Sequence, residues 1–205
     1  MCESVGRMSK VRAQENRRRV VEAAARLFAE RGVAGVSVAE VMAEAGMTHG
    51  GFYKQFASKE ALVTEAVRFA FAEQESVIAA FGEPGSGAAR EGLLDHCLAT
   101  AHRDRAGRGC PCADFAGDLV RGWHGARRAY ADGVEACARY LGHDGEEDLR
   151  AVSMLVGAVI LSRATVGTEL SQRILSAACT AFSAGVDGAP GGLPHREDVI
   201  SQRKV

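Results

Sequence analysis

Two stretches of this sequence carry side chains suited to chemistry. The first is Thr48-His49-Gly50-Gly51-Phe52-Tyr53-Lys54, which offers a hydroxyl, an imidazole, a phenol and an ammonium within seven residues. Groups of this kind hydrogen-bond to base edges and phosphate oxygens. Gly50 and Gly51 would each cost about 1 kcal/mol relative to alanine in a helix interior. Two in succession suit a backbone that approaches a bulky partner closely, at a helix start where phosphate is favoured. A loose first turn is the competing reading. Phe52 and Phe56, four residues apart, point to the core and leave Tyr53 and Lys54 outward.

The second stretch is Gly109-Cys110-Pro111-Cys112. Proline is favoured in the first turn of a helix, and a helix start favours the thiolate of a nearby cysteine. With Arg105 and Arg108 close by and Cys97 one helix away, Cys110 and Cys112 are candidate redox-active thiols; small cysteines packing a helix start are the alternative. A metal site joining them to His96, His102 or His124 is disfavoured, because structural zinc usually wants ~2–4 residues between paired cysteines. No metal and no cofactor is expected. Neither is catalysis, since no nucleophile–base set or phosphate loop is present and the six histidines lack a motif context.

The first stretch needs helices to hold it. From Ala13 to Arg31, Val20, Ala24, Leu27 and Phe28 follow a 3.6-residue period, and Gly32 stands where a helix-ending glycine is expected. Arg17, Arg18 and Arg19 on the same segment either meet phosphates or form a solvated charged face. Ser37-Val38-Ala39-Glu40 is a capping box, and Val38, Val41, Met42 and Ala45 give the short helix after it one buried side. Gly46 ends that helix, and Thr48 is placed to cap the next. Ser58 caps a longer helix to about Ala80, which GEPGSG at 82–87 interrupts. Two short helices joined by a tight turn form a helix-turn-helix, whose second member enters the DNA major groove.

The blocks AARLFAERG, SVAEVMAEAGM and THGGFYKQFASKEAL, with their spacing, resemble the TetR/AcrR family of bacterial transcriptional regulators over roughly residues 14–70. The resemblance implies an all-α fold, with an N-terminal three-helix helix-turn-helix DNA-binding domain and a larger helical ligand-binding and dimerisation domain. It also implies a homodimer that represses from a palindromic double-stranded DNA operator and leaves it when a small-molecule effector binds. Carried over by position, Thr48 caps the recognition helix and touches the DNA backbone, His49 and Gly50 face base edges, and Tyr53 and Lys54 contact backbone and bases. Lys59 matches a phosphate contact and Ser37 a cap whose backbone meets phosphate. Many members have Lys at the His49 position and Thr, Ala or Pro at the Gly51 position. The operator therefore cannot be borrowed from a relative.

Four domains or segments are expected: a flexible basic arm over 1–12, the DNA-binding domain over 13–60, the helical body over 61–185, and a disordered tail over 186–205. In the body, helices are expected at 88–103, 111–121, 125–141, 146–166 and 169–185. Val152, Val156, Val159 and Ile160 with Ile174, Ala178 and Phe182 are the expected dimer surface; burial within one subunit is the alternative. His96, Phe115, Trp123, Tyr130 and Met154 are candidates to line a ligand cavity, each equally suited to the core.

Charge agrees with this division. Residues 1–60 hold ten Lys/Arg against seven Asp/Glu, and the remainder fifteen against nineteen, so a mildly basic head sits on an acidic body despite a net charge of −1. The start, MCESVGRMSKVR, has no apolar stretch of a signal peptide. The longest apolar run, Met154 to Leu161, is far short of the ~18 residues a membrane helix needs. A cytoplasmic protein without a membrane partner is expected.

Overall fold

The computed structural model describes residues 2–184 apart from 106, 108, 144 and 145, with side chains from residue 11 onward. The expected tail at 186–205 lies outside the described residues. The fold is all-α: a small N-terminal helix-turn-helix head on a larger helical body. Nine α-helices are described: α1 (Cys2–Arg31), α2 (Val38–Glu44), α3 (Lys59–Ile78), α4 (Gly87–Leu98), α5 (Thr100–Arg103), α6 (Pro111–Arg121), α7 (Arg127–Leu141), α8 (Leu149–Ala164) and α9 (Glu169–Ala184). No strand occurs among the described residues; His143 and Glu146 form one isolated antiparallel bridge.

The head is built from short-range signals. Helix α1 ends at Gly32, whose φ of 73° is easy only for glycine, and the Gly32 N–H closes onto the Phe28 carbonyl at 2.8 Å. Gly46, at φ 71°, ends α2 in the same way. The core of the head is Val20, Ala24 and Phe28 of α1 against Val41 and Met42 of α2, closed by Phe52, Phe56 and Leu62. Burying such side chains contributes about 1.5–3 kcal/mol each. Helix α1 starts at Cys2 where a flexible arm over 1–12 was expected, so the backbone ahead of Ala13 continues the helix.

Helix α3 joins head and body. It packs on α1 along its length and on α7 further on, and its Phe71 meets Tyr130 of α7 edge-to-face with ring centroids 5.7 Å apart. The expected helix at 88–103 is two pieces, because Ala99 is extended with ψ 142° and α5 restarts at Thr100. Helices α8 and α9 form an antiparallel pair tied by the buried Ser171, whose hydroxyl donates to the Ser162 carbonyl at 2.6 Å.

The dimer surface read from the sequence is out of phase with the packing. Val152, Val159, Ala178 and Phe182 are all buried in the chain's own core, while Val156 and Ile174 are half-buried. Ile160 alone of the seven is exposed, in company with Leu149, Met154, Leu161, Val166 and Leu170. Helix α8 is apolar nearly all round, so its periodicity does not say which side faces inward.

Candidate nucleic-acid interface

The residues between Thr48 and Lys54 form the exposed tip of the head. They make a short 3-10 helix, His49–Lys54, in place of the expected α-helix. The Gly51 N–H bonds the Thr48 carbonyl at 3.0 Å and the Gln55 N–H bonds the Phe52 carbonyl at 2.8 Å. Two consecutive glycines weaken the α-helix, and six residues are few enough for the tighter helix to be tolerated. Thr48 occupies the cap position in extended conformation, yet its side chain makes no capping hydrogen bond. Its hydroxyl is not used as the sequence suggested.

Thr48, His49, Gly50, Tyr53 and Lys54 are all exposed, Tyr53 by 71%. Phe52 and Phe56 stack underneath at 5.5 Å, and Phe52 supports Tyr53 edge-on at 5.1 Å. His49 and Tyr53 lie edge-to-face at 6.3 Å. An imidazole, a phenol and an ammonium thus project from one aromatic base, with no hydrogen-bond or ion-pair partner among the described residues drawing them inward. Those three groups can donate to phosphate oxygens and to acceptors on base edges.

Gly50 has open space around it: a Cβ added there meets nothing within 4 Å. Gly51 faces only ordinary contact with Met42. Packing therefore does not require glycine at position 50. Gly50→Ala should leave thermal stability equal or slightly raised and weaken DNA binding, as seen by comparing melting with fluorescence anisotropy on DNA. Unchanged DNA affinity would mean that no partner approaches this backbone.

Lys59, matched to a phosphate contact, and Arg17, left open between phosphate and a solvated face, both serve the fold, while Arg18 lies on a charged surface. The Lys59 ammonium donates to the carbonyls of Val33, at 2.7 Å, and Val36, and lies 5.1 Å from the Trp123 ring centroid. Burial pushes its pKa down, and Asp118 and Glu40 partly offset that. Lys59 pins the loop between α1 and α2 and is not a free phosphate ligand. Arg17 pairs with Glu65, donates to the Gln55 carbonyl and lies 4.2 Å over Phe56, so it braces the end of the 3-10 helix. Arg18 pairs with Glu15 and Glu22.

Ser37 forms the capping box as read. Its hydroxyl accepts from the Glu40 N–H at 3.2 Å, and Glu40 accepts from the Ser37 N–H at 2.8 Å. The Ser37 backbone N–H, then Arg31 and the Ser37 hydroxyl, hold the Glu40 carboxyl down at about 2. Because the folded value lies below the ordinary one, this contribution is present at neutral pH and fades as pH falls from about 4.5 towards 2.

The sequence reading gave Asp118 and Glu60 no role. Asp118 of α6 is buried and accepts from the Val33 N–H at 3.1 Å, clasping body to head. Glu60 likewise accepts from the Gly125 N–H at 2.9 Å. The available signal for Asp118 was an acidic residue on the apolar side of α6, three after Phe115 and one before Leu119. His102 was weighed only as a metal ligand; it is buried, with its Nε2 unpartnered among the described residues.

The five candidate ligand-lining residues do not converge. His96 lines a cavity of about 480 Å³, but Phe115 is core and Met154 is exposed. Tyr130 donates to the Cys112 carbonyl at 2.6 Å, and Trp123 sits against Lys59. Cys110 and Cys112 are buried, and the Cys112 and Cys137 sulfurs lie 3.9 Å apart. Cys110 is the thiol whose ionisation is favoured, first by the hydrogen bond from Cys112 and then by His102 and the Ala113 N–H. No group of three or more side chains suited to a metal occurs among the described residues, and no described helix is long and apolar enough to cross a membrane.

Residues 20–66 match the family model described as bacterial regulatory proteins, tetR family. The HTH-type transcriptional repressor KstR2 of Mycobacterium tuberculosis (strain ATCC 25618 / H37Rv) is 43% identical over 63 residues, 30% of this chain and 32% of that protein. Across the curated relatives the match spans only between 19% and 32% of their length. Among solved structures, a TetR transcriptional regulator from Chloroflexus aurantiacus J-10-FL superposes with TM-score 0.66 at 22% identity, covering 85% of this chain and 96% of that one. The reduced form of Escherichia coli NemR superposes with TM-score 0.66 at 18% identity, covering 81% and 96%. At these identities the likeness is one of fold.

Proposed function

We propose that this chain, whose residues 20–66 match the family model of the bacterial tetR regulatory proteins, is a homodimeric, ligand-responsive repressor of that family. The observation that carries this reading is the exposed tip itself. His49, Tyr53 and Lys54 project exposed, with no hydrogen bond or ion pair from their side chains among the described residues, from a 3-10 helix that buries Phe52 beneath them. His49 and the open backbone at Gly50 read base edges, while Tyr53 and Lys54 hold phosphates. The effector acts in the body and alters the separation of two heads that occupy successive major grooves about 34 Å apart.

The surface for the second copy is the outward strip of α8 and α9, with Leu149, Ile160, Leu161 and Leu170 exposed around the half-buried Val156 and Ile174. Gly157 on this strip leaves room, since a Cβ there meets nothing within 4 Å.

Phosphate contacts release counterions, so each one lost flattens the salt dependence. Lys54→Ala should weaken binding to all sequences alike and reduce the slope of log affinity against log salt by about 1. Anisotropy titrations over a salt series measure it. An unchanged slope would remove Lys54 from the interface.

A second reading rests on the Cys110 contacts with Cys112 and His102. In it, hydrogen peroxide oxidises the Cys110 thiolate to a sulfenic acid. The Cys112 thiol then attacks that sulfur, forming the disulfide and expelling water. Cys110→Ser should bind DNA like the wild type but keep it under peroxide; release by peroxide in that variant would make the cysteine structural.

A further inference from the structure

The peroxide chemistry above leaves one buried thiol unused. Cys137 of α7 lies against the first turn of α6, its sulfur 3.9 Å from that of Cys112. The Cys137 thiol also donates to Gln74 Oε1 of α3 at 3.4 Å. Tyr130, on α7 as well, donates to the Cys112 carbonyl at 2.6 Å, so the backbone on both sides of the sulfur pair is held. Cys137 and Gln74 both line a groove of about 330 Å³ between α3 and α7. Cys110 and Cys112 are placed differently. They are the cap and the second residue of one helix, and residues two apart on a helix do not face each other. A disulfide wants its Cβ atoms about 3.5–4.5 Å apart, and departures from that geometry make the bond easier to break. Within a Cys110–Cys112 bond, Cys110 is the better leaving group. The hydrogen bond from Cys112 first, then His102 and the Ala113 N–H, favour its thiolate against burial, and the last two persist once Cys112 has lost its proton. The thiol of lower pKa leaves faster in exchange.

We propose that the lasting oxidised form of this protein is a Cys112–Cys137 disulfide that staples α6 to α7, reached by exchange from the Cys110–Cys112 bond. The Cys137 sulfur attacks that of Cys112, and its proton passes to water in the groove it lines. The Cys112–Cys137 bond forms, the Cys110–Cys112 bond breaks, and Cys110 leaves as thiolate. No oxidant is consumed beyond the hydrogen peroxide of the first step. Closing 3.9 Å to a bond of about 2 Å draws the start of α6 towards α7. Helix α6 carries Asp118, which holds the Val33 N–H, so the staple acts on the clasp between body and head. The proposal rests on the peroxide reading above and moves its end product from within one helix to between two.

The test treats the full chain with hydrogen peroxide, blocks the remaining thiols with iodoacetamide and maps tryptic peptides without reduction. Cys110 and Cys112 share the peptide 109–121, whereas Cys137 lies on 129–139 and Cys97 on 91–103. The wild type should give 109–121 linked to 129–139 through Cys112 and Cys137, with Cys110 carrying the blocking group and the chain running as a monomer on a non-reducing gel. Cys137→Ala should stop at the bond inside 109–121 and, without peroxide, bind DNA as the wild type does. Peroxide should weaken DNA binding at least about tenfold in the wild type and less than about twofold in Cys137→Ala. The wild-type peptide map decides the pairing even if Cys137→Ala fails to fold. A wild-type bond only within 109–121, or equal release from Cys137→Ala, would overturn the staple and leave the peroxide reading standing. No disulfide at all, or a link to Cys97, would overturn both.

Discussion

Phe56→Ala should cost the folded state about 3–5 kcal/mol and abolish DNA binding, although Phe56 touches no DNA. Its ring is 2% exposed, stacks on Phe52 and carries the Arg17 guanidinium on its other side. Truncation leaves a cavity beneath the 3-10 helix and frees Arg17 from the end of that helix. The helix has little intrinsic stability to survive this, with two glycines and poor hydrogen-bond geometry. Chemical denaturation with a binding assay at the same temperature measures both effects. A folded variant with a loss under 1 kcal/mol and intact binding would show that the tip does not depend on this platform.

Asp118→Ala should lower stability by about 1–3 kcal/mol, because it leaves the buried Val33 N–H without an acceptor. The change also removes a hydrogen bond that crosses from α6 of the body to the loop between α1 and α2. The Lys59 ammonium holds the same loop through the Val33 and Val36 carbonyls. Head and body should therefore melt less cooperatively in this variant, and effector should release DNA less completely. Asp118→Asn keeps an acceptor oxygen of the same reach and should recover most of the stability. Equal melting of Asp118→Ala and the wild type would leave the clasp without energetic weight.

What was legible in the sequence and what was not divides along the range of the forces involved. Ser37 and Glu40 cap each other over three residues, and Gly32 and Gly46 end their helices by backbone freedom alone, so neighbouring letters suffice. The outward placement of Tyr53 and Lys54 follows equally from Phe52 and Phe56 lying four apart. Lys59 is the opposite case: its position suits a phosphate contact, and only the folded loop brings two carbonyls to its ammonium. Thr48 has the right residue type for a cap, but a 3-10 helix makes different demands from an α-helix. On α8 the inward Val152 and Val159 and the outward Leu149 and Ile160 are chemically alike. Local pattern could not fix the rotation of that helix, and the expected dimer strip came out turned towards the core. Asp118 acts through a partner far away in the chain, the Val33 N–H, which no spacing records.

The central claim is that the tip from Thr48 to Lys54 reads DNA as one of a symmetric pair. The most direct test is selection of bound duplexes from a random DNA library by the full-length protein, followed by hydroxyl-radical footprinting of the winner. The account predicts a palindromic site, protected on one face of the duplex in two half-sites about 34 Å apart, with protection lost when His49 and Lys54 are both replaced by alanine. Enrichment of no sequence, or a footprint that survives the double replacement, would contradict it.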